Sequence, residues 1–356
     1  PAEPNLETVT PQDFRVEADG PAFKGLGADV DLVGPGRAYE KWKETPAYQE
    51  WLKDSGQAVR AEAPIAKPFV VLARDGRAEQ KFPELPDAID AAQNGDTIEI
   101  RGNGPFVLPP IHLRDKPLTL RAGAGSWPVL ALAPLAVAVD LPLLTTGAHP
   151  RLEGLVFRRE PGGKPGASGL KHIYSERAPL AVANCRFVLP PKHPGLIDAI
   201  TAENSPSFHV HNCLFLGDWH AGPASGRVVP GARTVVGNCL FLTAGYALTL
   251  EVTPSQEEVP TASLQMLNNT MISRGGGPVT IYIVVRKAHK DVPGQPPFRV
   301  EARRNLGANG WLHFMYFSLS KESDEFLERE VRSLPKRLFT VEDQGNHIAA
   351  GPPLVT

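Results

Sequence analysis

The sequence predicts an all-β chain: a right-handed parallel β-helix (a solenoid) with an N-terminal capping helix and a short, partly helical and partly irregular N-terminal extension. Three observations predict it. The phrase Asn-Cys-x-Phe occurs at 184–187, 212–215 and 238–241, in steps of 28 and 26 residues, and holds all 3 cysteines of the chain. A period of 20–50 residues signals stacked structural units. Upstream of the phrase and its echoes, apolar residues alternate as Leu180/Val182, Phe208/Val210, Leu264/Met266 and Val300/Ala302, and a period of two is strand geometry. Finally, 36 Pro and 33 Gly spread along 356 residues suit a fold made of many turns.

The elements follow in order. Residues 1–37 are polar and rich in Gly and Pro, and read as an irregular extension or linker with little independent structure. Residues 38–56 read as two short helices, with Thr45 as N-cap, Pro46 at the first helical position and Gly56 as the stop. Their Tyr39, Trp42, Tyr48 and Trp51 form either a partner-docking surface or, the reading preferred, an aromatic face packed on the β-helix. The solenoid runs from 68 to 345. Phe69 to Leu72 opens it, Phe82 to Gln93 is a helix over the first rung, and Ile98 to Ile100 is the strand after it. Solenoids need such covers against edge pairing. Leu118 to Leu120 starts the next rung, and coils continue to about 318. Lys321 to Val331 reads as a charged C-terminal helix, Leu338 to Val341 and Gly345-Asn346 as a last partial rung, and 346–356 as a tail.

Within each unit Asn turns the corner, since it tolerates a left-handed backbone and its amide can bond to the same amide one rung away. Cys and Phe then face inward together. Degenerate copies stand at Gly154-Leu155-Val156-Phe157, Asn268-Asn269-Thr270-Met271 and Arg304-Asn305-Leu306-Gly307. Rungs about 4.8 Å apart turn equivalent residues into interior columns. Parallel Cβ vectors at that spacing exceed the roughly 3.8 Å a disulfide prefers. The three Cys are therefore expected reduced and buried, and a linear column does not converge on a metal ion.

Charge and hydropathy exclude other classes. A net charge of −2 gives no electrostatic case for nucleic acid. No run of 18 apolar residues exists, so the chain itself is not expected to insert in a membrane. It begins Pro-Ala-Glu-Pro without Met and reads as part of a longer protein or as a processed product.

Residues 85–100, Leu-Pro-Asp-Ala-Ile-Asp-Ala-Ala-Gln-Asn-Gly-Asp-Thr-Ile-Glu-Ile, resemble the opening motif of pectin-lyase-like right-handed β-helix proteins, and 118–130, Leu-Thr-Leu-Arg-Ala-Gly-Ala-Gly-Ser-Trp-Pro-Val-Leu, fit the same family. The likeness spans 68–345 and implies the fold. Residues 26–36, Leu-Gly-Ala-Asp-Val-Asp-Leu-Val-Gly-Pro-Gly, and 39–52 are similar to segments of large planctomycete proteins, some with a serine/threonine kinase domain upstream. This implies a module of a larger protein, in the cell envelope or otherwise outside the cytoplasm. The chain itself lacks the Gly-rich loop, His-Arg-Asp and Asp-Phe-Gly motifs of a kinase. Gly162-Gly163-Lys164-Pro165-Gly166 lacks P-loop spacing and reads as a bulging loop.

The resemblance includes polysaccharide lyases and glycoside hydrolases. A lyase needs outer-face carboxylates that hold Ca²⁺ and a basic side chain; a hydrolase needs two or three clustered carboxylates. The acidic candidates are Asp198, Glu203 and Glu251. They are placed on different coils, with the rung of Val228 and Val229 offering no carboxylate between the last two. His209 and His211 flank inward Val210, so both point outward from one strand. Two such imidazoles can share a metal ion or act in catalysis, and are otherwise surface histidines. Asp218, Trp219 and His220 are candidate ligand contacts, with Trp219 either a sugar-stacking platform or a loop-packing residue. The reading preferred is a non-catalytic binding or scaffolding module for a polysaccharide or protein partner, with no cofactor and no metal. The alternative is a carbohydrate-active enzyme using Asp198, Glu203, His209 and His211, and a third reading is a structural spacer.

Overall fold

A computed structural model describes residues 10, 12, 27–48, 67–74, 76–113, 116–134, 141–159, 170–188, 197–217, 223–243, 247–252, 261–273, 279–285, 298–308, 312–318 and 339–349. The chain is mostly β, in long parallel sheets. Among the described residues 28 strands form three sheets, of 11, nine and eight strands. We call these the long, second and third sheets. From Thr97–Ile100 onward the chain visits them in rotation, and each strand pairs in parallel with the strand three further on. A rung is one such set of three strands.

The residue choices explain the geometry. From the strand Arg151–Glu153 onward, the corner between the long and second sheets holds one left-handed residue on each rung. It is Gly154, Asn184, Asn212, Asn238, Asn268, Arg304 and Gly345 in succession, with φ between 52° and 71°. Asn tolerates this region better than other residues with a side chain. The amides also bond along the stack: Asn212 Nδ2 donates to Asn184 Oδ1 at 3.3 Å, and Asn238 Nδ2 to Asn212 Oδ1 at 2.7 Å. Asn184 Nδ2 is left without a partner, because the preceding corner is a glycine with no side chain to accept it.

Past the corner the chain turns inward. Phe157, Phe187, Phe215 and Phe241 stack with centroids 4.9, 4.9 and 4.8 Å apart and planes within 4°. This equals the strand spacing, so the aromatic column follows from register alone. Cys185, Cys213 and Cys239 are buried and free. Each thiol donates to the carbonyl two residues back, Ala183, His211 or Gly237, at 3.1–3.2 Å. The inward pairs expected upstream, from Leu180 and Val182 to Val300 and Ala302, are also buried.

The column does not end with the cysteines. Asn269, Asn305 and Asn346 continue it. Asn269 Nδ2 donates to Val236 O and to Asn305 Oδ1, both at 2.9 Å, and its Oδ1 accepts from the Cys239 amide at 2.9 Å. Asn305 Nδ2 donates to Met266 O and Asn346 Oδ1, both at 2.8 Å. Buried amides are tolerated where such partners are complete.

The ends differ from the sequence reading in detail. The helix at the start is Leu85–Ala91, with Pro86 in its first turn. Phe82 belongs instead to the strand Gln80–Phe82, antiparallel to Phe69–Val71. Leu85, Ala88, Ile89 and Ala92 are buried in the core. At the other end strands extend past the expected limit at 345: His347–Ala349 pairs with Leu306–Ala308, and the boundary falls at the corner Gly345. The charged helix expected from Lys321 to Val331 and the loop at Gly162 to Gly166 lie outside the described residues. No helix among the described residues is long and apolar enough to cross a membrane.

Residues 27–36 lack regular structure, yet they run along the stack as a strap. The Gly27 amide donates to Arg304 O at 2.8 Å, Ala28 N to Thr270 Oγ1 at 3.1 Å, Asp29 N to Asn238 Oδ1 at 2.6 Å and Gly34 N to Asn212 O at 2.9 Å. Val30 and Val33 pack on Leu214, Leu216, Leu240, Leu242 and Ile272 of the second sheet's outer face. The helix Arg37–Lys43 follows and buries Tyr39 and Trp42. Tyr48 is buried beside them, its ring 4.9 Å from that of Trp42. Gly154 makes room for this packing, since a Cβ there would lie 2.8 Å from Tyr39 Cδ1. The aromatic cluster is thus a packing face. Thr45 does not cap forward with its side chain; its hydroxyl donates back to Trp42 O at 2.7 Å. Trp51 and Gly56 lie outside the described residues.

Candidate functional site

The outer face of the long sheet carries two side-chain columns in register. One runs Glu99, Arg121, Glu153, Ala183, His211, Gly237, Leu267, Arg303, Gln344. The other passes through Arg151, Ala181, His209, Val235, Gln265 and Glu301. The early rungs are ionic: Arg121 meets Glu99 at 2.9 Å, and Tyr39 Oη donates to Glu153 Oε2 at 2.9 Å beneath the helix. Burial, then the Glu153 carboxylate, holds the Tyr39 phenol well above its usual pKa, so it stays a donor. On the middle rungs the side chains shrink to Ala181, Ala183, Val235 and Gly237 around the two histidines.

That change in size opens a cavity of about 810 Å³ between sheet and strap. His209, His211, Arg233, Val235, Gly237 and Gln265 line it from the long sheet. Asn212, Asn238 and Asn268 line it from the corner, and Gly27, Ala28, Asp29, Leu32, Trp42 and Ala47 from the N-terminal segment. The histidine rings stand 6.5 Å apart, nearly perpendicular at 86°. Ser207 Oγ lies 3.3 Å from His209 Nε2. His211 lies over Gly237, where a Cβ would approach its Nδ1 to 2.9 Å, so glycine at 237 sets the ring's position. Burial, then the charges of His209 and Arg233, pushes the His211 pKa down to about 4. His211 is therefore a neutral imidazole at pH 7, able to donate from one nitrogen and accept at the other. Arg233 Nη2 donates to Gln265 Oε1 at 3.1 Å, and Gln265 Nε2 to Glu301 Oε2 at 3.0 Å.

The other candidates lie elsewhere. Asp198 and Glu203 do not come from different coils: both are on the strand Ile197–Glu203 of the third sheet. Five residues of strand separate their backbones by about 16 Å, beyond the roughly 10 Å reach of a glycosidase pair. The histidines are on the long sheet, so they do not share a strand or a sheet with the acids. Glu251 is on Leu248–Val252, two strands beyond, and the intervening strand is Pro223–Arg227, just before Val228 and Val229. Asp198 is nonetheless perturbed. Burial raises its pKa to about 7, against the pull of Lys171 and of Thr201 Oγ1 at 3.4 Å. Asp218, Trp219 and His220 lie outside the described residues.

Sequence reasoning missed two things. Glu176 is the register partner of Glu203, so two carboxylates stand on neighbouring strands; the signal was present, since the strands Leu170–Glu176 and Ile197–Glu203 both end in Glu. The strap and its cavity left no local signal. Among the described residues no group of three His, Cys, Asp or Glu side chains is placed to hold a metal ion. The cavity offers imidazole, amide and guanidinium groups that hydrogen-bond a polar ligand, beside an indole wall. Comparison of the chain with protein-family models, with curated proteins and with solved structures finds no match.

Proposed function

We propose that the chain is a right-handed parallel β-helix module, pectin-lyase-like in fold, that binds a glycan on its outer face without catalysis, as part of a larger envelope protein. The rotation of the chain through three parallel sheets supports the fold reading. The observation that carries the binding reading is the cavity of about 810 Å³ with His209, His211, Arg233, Gln265, Asn238 and Asn268 on its walls. Its size suits a small ligand, and its side chains match the mixed donors and acceptors of sugar hydroxyls.

One observation favours the carbohydrate-active alternative: Glu176 and Glu203 are register partners on neighbouring strands, whose backbones run about 4.8 Å apart, which brings two carboxylates of one face together as a retaining enzyme requires. Against it, Glu176 lies 3.4 Å from Arg177 with its side chain 45% exposed, a solvated setting for an acid catalyst. A glycan array followed by product analysis of the hits separates the readings. The expected result is binding without turnover, weakened about tenfold or more by Gln265→Ala or His209→Ala, as for loss of a buried polar contact. Turnover abolished by Glu203→Gln or Asp198→Asn overturns it in favour of the enzyme. No binding to any glycan overturns it in favour of the spacer.

A further inference from the structure

We propose that Gly237 is a positioning residue of the histidine-lined cavity: it seats the His211 ring against the long sheet and so leaves room for a sugar ring beneath the strap. This inference rests on the reading that the cavity binds a glycan. It adds the residue that decides whether the cavity is open to one.

The backbone does not ask for glycine at this position. Gly237 closes the strand Arg233–Gly237, and its φ lies outside the left-handed region. A glycine in a strand weakens it and marks a place where another group comes close. Its neighbours in the outer-face column are His211 on one side and Leu267 on the other. A Cβ at 237 would stand 2.9 Å from His211 Nδ1 and 3.1 Å from its Cε1, whereas the next nearest atom, Leu267 O at 3.8 Å, is at ordinary contact. The missing side chain therefore serves the imidazole.

A ring pushed off this seat has one place to go. On the preceding rung the column residue is Ala183, which is fully buried, so the space over it is already filled. Along its own strand stands His209, whose ring is 6.5 Å away. The side left open is the cavity of about 810 Å³ that His211 lines together with Gly27, Ala28 and Asp29 of the strap. An added methyl in a packed setting moves its neighbour rather than being absorbed, and the displaced imidazole takes volume from the ligand. The other charged and titratable side chains lining the cavity are His209, Arg233 and Asp29. Burial, then His209 and Arg233, holds the His211 pKa at about 4, so a ring that leaves its seat for the cavity regains water and titrates higher.

The test is a titration of the strongest array glycan into four forms of the full chain: the parent, Gly237→Ala, His211→Ala and the double variant. Gly237→Ala is expected to bind about tenfold more weakly, as for overpacking, and His211→Ala to lose less. The double variant is expected to bind as His211→Ala does, because the alanine meets no obstacle once the ring is gone. In the ligand-free proteins, the His211 pKa followed by NMR is expected to rise in Gly237→Ala towards the ordinary value of about 6.5. A purely structural glycine would show neither the rescue nor the pKa change. Parent-like binding by Gly237→Ala overturns the proposal. So do additive losses in the double variant, or a His211 pKa that stays put. Those results leave the glycan reading standing, whereas a parent chain that binds no array glycan overturns that reading and this inference with it. Should Gly237→Ala fail to fold, the double variant decides: folding and binding as His211→Ala does supports the proposal, and failure to do either overturns it.

Discussion

One interior column of this molecule is built in two chemistries. From Cys185 to Cys239 it is sulfur, with each thiol reaching a carbonyl two residues back on its own rung. From Asn269 to Asn346 it is amide, with each side chain bonding to the preceding rung's backbone and to its neighbour in the column. Both halves occupy the same place after a left-handed corner. The sulfur half fills volume and reaches between rungs only through long sulfur contacts, each thiol lying 3.8–3.9 Å from a carbonyl of the preceding rung and Cys239 Sγ accepting from the Cys213 amide at 3.4 Å. The amide half adds hydrogen bonds between rungs. A cysteine can therefore be truncated at the cost of volume and weak sulfur hydrogen bonds, whereas an asparagine cannot be removed without stranding buried partners of short amide hydrogen bonds.

The largest expected effect is on the amide half. Asn305→Ala removes the acceptor for the Asn269 amide at 2.9 Å and the donor to Met266 O. Orphaned buried groups cost about 1–3 kcal/mol each, so a loss of roughly 3–5 kcal/mol is expected in denaturant unfolding. A loss below about 1 kcal/mol would erase the distinction between the halves. Cys213→Ala is expected to cost about 1–3 kcal/mol as a small core truncation, and a larger loss than Asn305→Ala would reverse the comparison.

A smaller effect separates the column from the histidines by pH. The Cys213 thiol is pushed well above its usual pKa by burial, and amides do not titrate, so neither Cys213 nor the asparagines respond between pH 4 and 7. The outer-face His211, lowered to about 4, does respond. Its folded pKa lies below the unfolded value of about 6.5. The stability it contributes is present above pH 6.5 and is lost as pH falls towards 4. Buried His172, lowered to about 3, adds to the same limb. Melting temperatures followed from pH 7 to pH 4 are expected to fall less steeply in His211→Gln than in the parent chain; an unchanged slope assigns the acid limb elsewhere.

What was legible in the sequence divides along the same line. Strand alternation and the Asn-Cys-x-Phe phrase report on neighbours two residues or one rung away. Corner, inward Phe and buried Cys could therefore be read directly. The second chemistry of the column could have been read from Asn269 and Asn305, which follow their corner residues as Cys185 follows Asn184. The outward orientation of His209 and His211 was also legible, since it needs only the parity of one strand. The strap was not, because its contacts span 209 residues between Asp29 and Asn238 and 242 between Ala28 and Thr270. Nor was the common strand of Asp198 and Glu203, which depends on where one strand begins after a connection whose number of residues varies between rungs.

We propose that the interior repeat carries stability while the outer cavity carries binding. The most direct measurement is one calorimetric titration of the strongest array glycan into three proteins: the parent chain, Cys213→Ala, and the double variant His209→Ala with Gln265→Ala. An unchanged dissociation constant is expected for Cys213→Ala despite its lower melting temperature, and at least tenfold weaker binding for the double variant. Equal affinity in all three, or a loss only in Cys213→Ala, would contradict it.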